Sequence, residues 1–253
     1  MKKLLTYILF IIVCFSVKAQ SEIFAKANNL YNEGNYQEAI ATYQSILDTK
    51  MHSAELYFNL ANAYYKTNQV ASSVFYFEKA LQLAPNDPEI KNNLAFAQNM
   101  TIDAIDVVPK LGLSQYVNNV VGLLNYDGWA YLSVALMITF VFLFLLYYFA
   151  HQSGRKRAYF LSSLITFIAV LFFLVMAYQS YNSLANDNPA IVFDTEVEVK
   201  IDPNLRSETV FSLHEGTKVQ IEETYDKSWV KIKISDGRTG WMHSESIKSL
   251  SKY

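Results

Sequence analysis

Positions 34 residues apart repeat one another along the first hundred residues: Ala27, Ala61 and Ala95, and then Leu30 with Tyr64, Gly34 with Asn68, Tyr36 with Val70, Ala39 with Ser73, and Tyr43 with Phe77. A period of this length belongs to helical hairpins, which cannot bury their apolar faces alone and must stack. The recurring small residues let two helices approach, and the aromatics fill the space between hairpins. The first unit contains Ala27, Leu30, Gly34, Tyr36, Ala39, Ile40, Tyr43, Ile46 and Leu47; the second runs from Ala54 to Pro85; Pro88 to Gln98 opens a third in the same register. An array of this kind has no chemistry of its own. Its concave side is a binding surface, so the chain reads first as a partner-binding protein.

This pattern resembles the tetratricopeptide repeat, which implies an all-α repeat domain over residues 20–106. The resemblance places the first helix of each hairpin on the concave face, which here carries Phe24, Asn28, Tyr31, Phe58, Asn59, Asn62, Tyr65, Asn93 and Phe96. Asparagines there can hydrogen-bond the backbone of a bound peptide while aromatics hold its side chains. Asn28 and Asn59 match the asparagines of chaperone-type clamps, but Phe24, Glu89 and Asn93 fill the clamp's cationic positions. The resemblance therefore implies an internal or helical ligand segment instead of a C-terminal carboxylate.

The remaining apolar segments give the chain an address. Residues 1–19 pair Lys2 and Lys3 with an apolar run from Leu4 to Val17 and end Val17-Lys18-Ala19, as a signal peptide would. Its removal would leave no cysteine, because Cys14 is the chain's one cysteine. Residues 127–150 and 158–181 read as two transmembrane helices: from Gly128 to Ala150 and from Ala158 to Tyr181 there is no Asp, Glu, Lys, Arg or His. Between them, the loop 151–157 holds Arg155, Lys156 and Arg157, which by the positive-inside rule fixes it in the cytoplasm. Both flanking domains are then expected in the periplasm, at the inner membrane. Trp129, Tyr131, Tyr178 and Tyr181 stand where interfacial anchors would. In the juxtamembrane segment 107–126, Leu113, Tyr116, Val117, Val120, Val121 and Leu124 fall at helical spacing, which fits either an interfacial helix or a cap on the last repeat.

Charge and motif content exclude several functions. Residues 20–106 hold ten acidic and five basic residues, a balance of −5, and residues 182–253 hold twelve and nine, a balance of −3, so neither offers the basic patch that nucleic acid requires. His52, His151, His214 and His243 have no metal-ligand spacing, and no phosphate loop or nucleophile elbow appears. The expectation is a protein that is not an enzyme and uses no cofactor or metal. His214 and His243 read as surface imidazoles.

After the linker 182–189 the chain alternates apolar and β-branched residues with polar ones. Val210-Phe-Ser-Leu-His-Glu-Gly216, Trp229-Val-Lys-Ile and Asp236-Gly-Arg-Thr-Gly-Trp241 make residues 190–253 resemble a bacterial SH3-like domain, an all-β barrel. Trp229 and Trp241 are its possible ligand contacts, with packing as the other role open to them. Taken in order, the signal, the repeats, the Asp103-Ala-Ile-Asp106-Val-Val-Pro109 exit, Asp127-Gly128-Trp129, the hairpin with its basic turn and the terminal barrel resemble the BatE-like proteins of the Bacteroides aerotolerance operon. That resemblance implies a membrane-bound interaction protein of Bacteroidota, linked to oxidative or envelope stress. Its implied partners are von Willebrand factor A-domain membrane proteins and a MoxR-type ATPase. A cell-wall binder acting through the barrel on peptidoglycan is the alternative.

Overall fold

A computed structural model describes residues 22–103, 112, 117, 119–185 and 187–250. The expected signal peptide and much of the juxtamembrane segment, including Leu113 and Tyr116, lie outside the described residues. The chain divides into two compact units, Met1–Val107 with Asn188–Tyr253, and Val108–Asp187.

In the first unit, helix α1 covers 22–32 and is followed by α2 (Tyr36–Asp48), α3 (Ala54–Lys66), α4 (Val70–Leu83) and α5 (Pro88–Gln98). The starts of the hairpins are written into the sequence. The Ser53 hydroxyl accepts from the Leu56 N–H, and Asp87 accepts from the N–H groups of Glu89 and Ile90 with Pro88 in the first turn, so orphan donors are satisfied where α3 and α5 begin. The 34-residue interval is the packing interval. Ala27 and Ala61 have no exposed surface, and the Ser73 hydroxyl donates to the Ala61 carbonyl at 3.0 Å, a distance a bulkier pair of residues could not reach.

The C-terminal part of the same unit is one antiparallel sheet: β1 (Pro189–Val192), β2 (Glu196–Lys200), β3 (Thr209–His214), β4 (Lys218–Tyr225), β5 (Trp229–Lys233), β6 (Thr239–His243) and β7 (Ile247–Ser249). Its strand order is β3-β2-β6-β5-β4-β1-β7. Val192, Val199, Leu213, Val219, Ile232 and Met242, from six different strands, share one core, so the sheet curls around it. Val230, Ile232 and Ile234 all point into that core, as alternation requires.

The sequence suggests two independent external domains, but the structure joins them. Ile191 and Leu250 of the barrel, both with no exposed surface, pack in one cluster with Ala61, Val70, Val74, Phe77, Leu94 and Ala97 of the repeats. Phe193 meets the edge of Phe75 with ring centres 5.8 Å apart. Polar contacts surround this apolar centre. The Lys218 ammonium lies 2.8 Å from a Glu78 carboxylate oxygen, and the Gln82 amide donates to the Leu250 carbonyl at 2.8 Å. The Asp103 carboxylate accepts from the His214 backbone N–H (2.7 Å) and the Thr217 hydroxyl (2.6 Å), and it lies 2.7 Å from His214 Nδ1. Gly216 makes the approach possible: its φ is +86°, and a Cβ there would stand 2.7 Å from Thr101 Cγ2 and 3.0 Å from Val70 Cγ1. His214, expected as a surface imidazole, is thus part of the joint, because the Asp103 that receives it sits just past α5.

The second unit is an antiparallel hairpin of α6 (Tyr126–Phe149) and α7 (Ser153–Ala185). Tyr126 packs on Tyr181, Trp129 on Phe173, Phe140 on Phe167 and Tyr147 on Phe160, in opposite order along the two helices. Both helices are long and apolar enough to cross a membrane, and only 6% and 11% of their most apolar stretches are buried. The uncovered remainder is a surface that lipid accepts and water does not. Arg155, Lys156 and Arg157, expected in a loop, stand at the start of α7, where the helix dipole opposes cations. The Lys156 ammonium lies 5.3 Å from the centre of the Tyr147 ring. Trp129, expected as an interfacial anchor, is instead 5% exposed; its indole N–H donates to the Val121 carbonyl at 3.0 Å and its ring stacks on Phe173. Of the described residues in the juxtamembrane segment, Val121 packs with Trp129 and Met176, while Val117, Val120, Leu123 and Leu124 are exposed.

The joint carries a pH signature. Burial pushes the Asp103 carboxyl up, but hydrogen bonds from Thr217 and from the His214 backbone and ring outweigh it and hold the group below the usual carboxylate range. The Asp103 bond raises His214 against desolvation, and the charges of Asp103 and Glu196 add to it. A histidine raised in the folded state stabilises fully below its unfolded pKa and loses that contribution as pH rises through the folded one; Asp103 contributes above its unfolded pKa. The unfolding midpoint of the chain in detergent should therefore decline as pH rises from the ordinary imidazole range, about 6.5, through the raised pKa of His214. His214→Gln should flatten that slope, and an unchanged slope in this variant would contradict the assignment.

Candidate functional site

The first helices of successive hairpins, α1, α3 and α5, line a groove with a volume of about 440 Å³, bordered by Asn28, Tyr31, Asn32, Tyr43, Phe58, Asn59, Asn62, Glu89 and Asn93. No described barrel residue borders it. The face repeats with the array, because Asn28 and Asn62, Asn59 and Asn93, and Glu55 and Glu89 are each 34 residues apart.

Adjacent helices are tied across this face by their asparagines. The Asn59 amide donates to Asn28 Oδ1 at 3.0 Å, and the Asn93 amide donates to Asn62 Oδ1 at 3.2 Å. The Tyr43 hydroxyl, at the floor of the groove, donates to the same Asn28 oxygen at 2.6 Å. Burial pushes the Tyr43 hydroxyl up to about 12; the neighbouring Tyr31 and Glu55 add to burial and the Asn59 bond opposes it. Burial also raises Tyr31, with Tyr36 adding to it. Both phenols are neutral near pH 7, which leaves Glu89 as the formal charge among the lining side chains.

Of the residues expected on the concave face, Asn28, Tyr31, Phe58, Asn59, Asn62 and Asn93 meet in this groove. Tyr65 does not: it packs, partly buried, against the cluster of Ala61, Val70 and Phe77. Phe24 lies against Tyr43 with ring centres 5.9 Å apart, and Phe96 is 60% exposed away from the lining. Sequence reasoning missed Asn32 and Tyr43 as lining residues and met Glu89 only as the occupant of a clamp's cationic position. Glu89 was legible one helical turn before Asn93, whereas Tyr43, one of the repeat's own packing aromatics, carries no mark that distinguishes floor from core.

In the barrel, Trp229 is buried with its ring 4.1 Å from that of His243, which is a packing position. Trp241 is half-buried on the outer face, 6.2 Å from the ring of Tyr225, which is 54% exposed. Among the described residues no group of three or more His, Cys, Asp or Glu side chains could hold a metal ion.

A tetratricopeptide repeat family model matches residues 30–95, and a bacterial SH3 domain model matches residues 195–248. No curated protein matches the chain. The chain thus carries helical repeats and an SH3-like domain of kinds associated with protein interaction or peptidoglycan binding and typically non-catalytic.

The asparagine ties predict unequal effects of truncation. Asn28→Ala removes the acceptor shared by the Tyr43 hydroxyl, in a residue 1% exposed, and the Asn59 amide, and should destabilise the chain by about 1–3 kcal/mol. Asn59→Ala removes one half-exposed amide and should cost under about 1 kcal/mol. Asn28 thus ties the groove together internally as well as lining it. Denaturant unfolding of the two variants in detergent decides this, and equal midpoints would contradict it.

Proposed function

We propose that this protein is a non-enzymatic, membrane-anchored scaffold that captures a protein partner in the groove of its repeats. The single observation that carries the reading is the groove itself. It is lined by asparagines, aromatics and Glu89, and no described barrel residue borders it. The uncovered apolar hairpin supports integral anchoring by two spans. The basic start of α7 supports a cytoplasmic turn, with the repeats and barrel in the periplasm and the inner membrane as the site. The full-length order of segments supports a BatE-like role in an aerotolerance or envelope-stress complex, beside von Willebrand factor A-domain membrane proteins and a MoxR-type ATPase.

The outward Trp241 and Tyr225 pair favours a second reading, in which the barrel binds cell-wall peptides. Isolated sacculi separate the two. Retention that depends on Trp241 supports the cell-wall reading, and indifference to the sacculi leaves the groove as the working surface.

The direct test is co-purification from native membranes, comparing the wild type with Asn59→Ala/Asn93→Ala. Each lost hydrogen bond to a peptide costs about 0.5–1.5 kcal/mol, so the pair should weaken capture by roughly tenfold to a hundredfold. Recovery of the same partners at wild-type levels would move the binding surface elsewhere. Reporter fusions at Tyr253 and Ser153 check the address: exported at the first and cytoplasmic at the second.

A further inference from the structure

The polar atoms of the groove are used unevenly. Asn28 Oδ1 accepts from both Tyr43 and Asn59, and Asn62 Oδ1 accepts from Asn93, so these oxygens are engaged within the protein. The amide N–H groups of Asn28 and Asn62, and the second N–H of each of Asn59 and Asn93, remain to meet a ligand, and their complement is a peptide carbonyl. The charge is one-sided as well. Among the described residues Glu89 lines the groove, no Lys or Arg does, and the exposed Glu55 holds the equivalent place one repeat earlier. Each carboxylate precedes an asparagine, Asn59 or Asn93, by one helical turn, so the two carboxylates flank the same face.

We infer that the groove selects an internal peptide segment that lays its backbone carbonyls on the asparagine amides and presents lysine or arginine side chains to Glu89 and Glu55. A free C-terminal carboxylate would meet like charge here and find no cation. Packed helices lie about 8–10 Å apart, or about three residues of extended chain, so basic residues three apart in the ligand can engage both carboxylates. Tyr31 and Phe58 line the same groove and supply its apolar surface.

This inference rests on the groove being the capture site, and the test keeps the two apart. The probe is a set of N-acetylated, C-amidated peptides about nine residues long, on an Ala/Ser/Leu background with Lys, Arg or Glu fixed at each position in turn, together with the same peptides bearing a free C-terminus. They are titrated against the full chain in detergent micelles. Peptides with Lys or Arg should bind best, and the free carboxylate should add nothing. Glu89→Gln, which keeps the side-chain shape at the helix start, should reduce the basic preference by about threefold to fivefold, the scale of one exposed ion pair. Glu89→Lys should reverse the preference toward Glu peptides. Equal binding of Lys and Glu peptides, a preference for the free carboxylate, or a basic preference unchanged in both Glu89→Gln and Glu55→Gln would overturn the inference while leaving capture standing. Binding by none of the peptides, or binding unaffected by Asn59→Ala/Asn93→Ala, would overturn the capture reading along with it.

Discussion

The repeats and the barrel are held together by the burial of one edge of the barrel against α4 and α5. A repeat array ends in an apolar face that must be capped, and α5 has no second helix to complete its hairpin among the described residues. Ile191 and Leu250 take that place: they enter the same cluster as Leu94 and Ala97 of α5 and Val74 and Phe77 of α4. Asp103 fixes the orientation, because three donors from the β3–β4 turn converge on one carboxylate and specify where the barrel sits. Apolar burial supplies most of the attraction and the hydrogen bonds supply the register.

This joint has a consequence for the groove. α5 contributes Glu89 and Asn93 to one wall, while its Leu94 and Ala97 are buried in the cluster that Ile191 and Leu250 of the barrel enter. A helix of 11 residues is marginal by itself in water, so the wall is held in place largely by what lies behind it. Barrel and repeats share one apolar cluster and are expected to unfold together.

Much of this is legible in the chain. The interval of 34 marks the helices and the shared face, because Ala27, Ala61, Ser73 and Tyr43 repeat for packing reasons that the fold then obeys. Alternation marks the strands, and the two long uncharged stretches mark the hairpin. The joint is not legible. Asp103 and His214 are 111 positions apart, and each alone is an ordinary polar residue. Ile191 and Leu250 look like any strand residue, since alternation says which residues face inward but not against what. Tyr65 and Trp129 depart from expectation for one common reason: an aromatic at helical spacing marks a face, and only packing decides whether that face is open. Asn28 shows the converse, a residue assigned to ligand that also holds the buried hydroxyl of Tyr43.

Hydrogen exchange on the full chain in detergent, comparing the wild type with Leu250→Ala, tests the central claim that the barrel completes the repeat array. If the two parts are one cooperative body, emptying the Leu250 site should speed exchange in α4 and α5 as well as in β1 and β7, by about tenfold or more, because a large-to-small change in a packed core costs roughly 2–5 kcal/mol. Faster exchange confined to the barrel, with the amides of α4 and α5 protected as in the wild type, would contradict it.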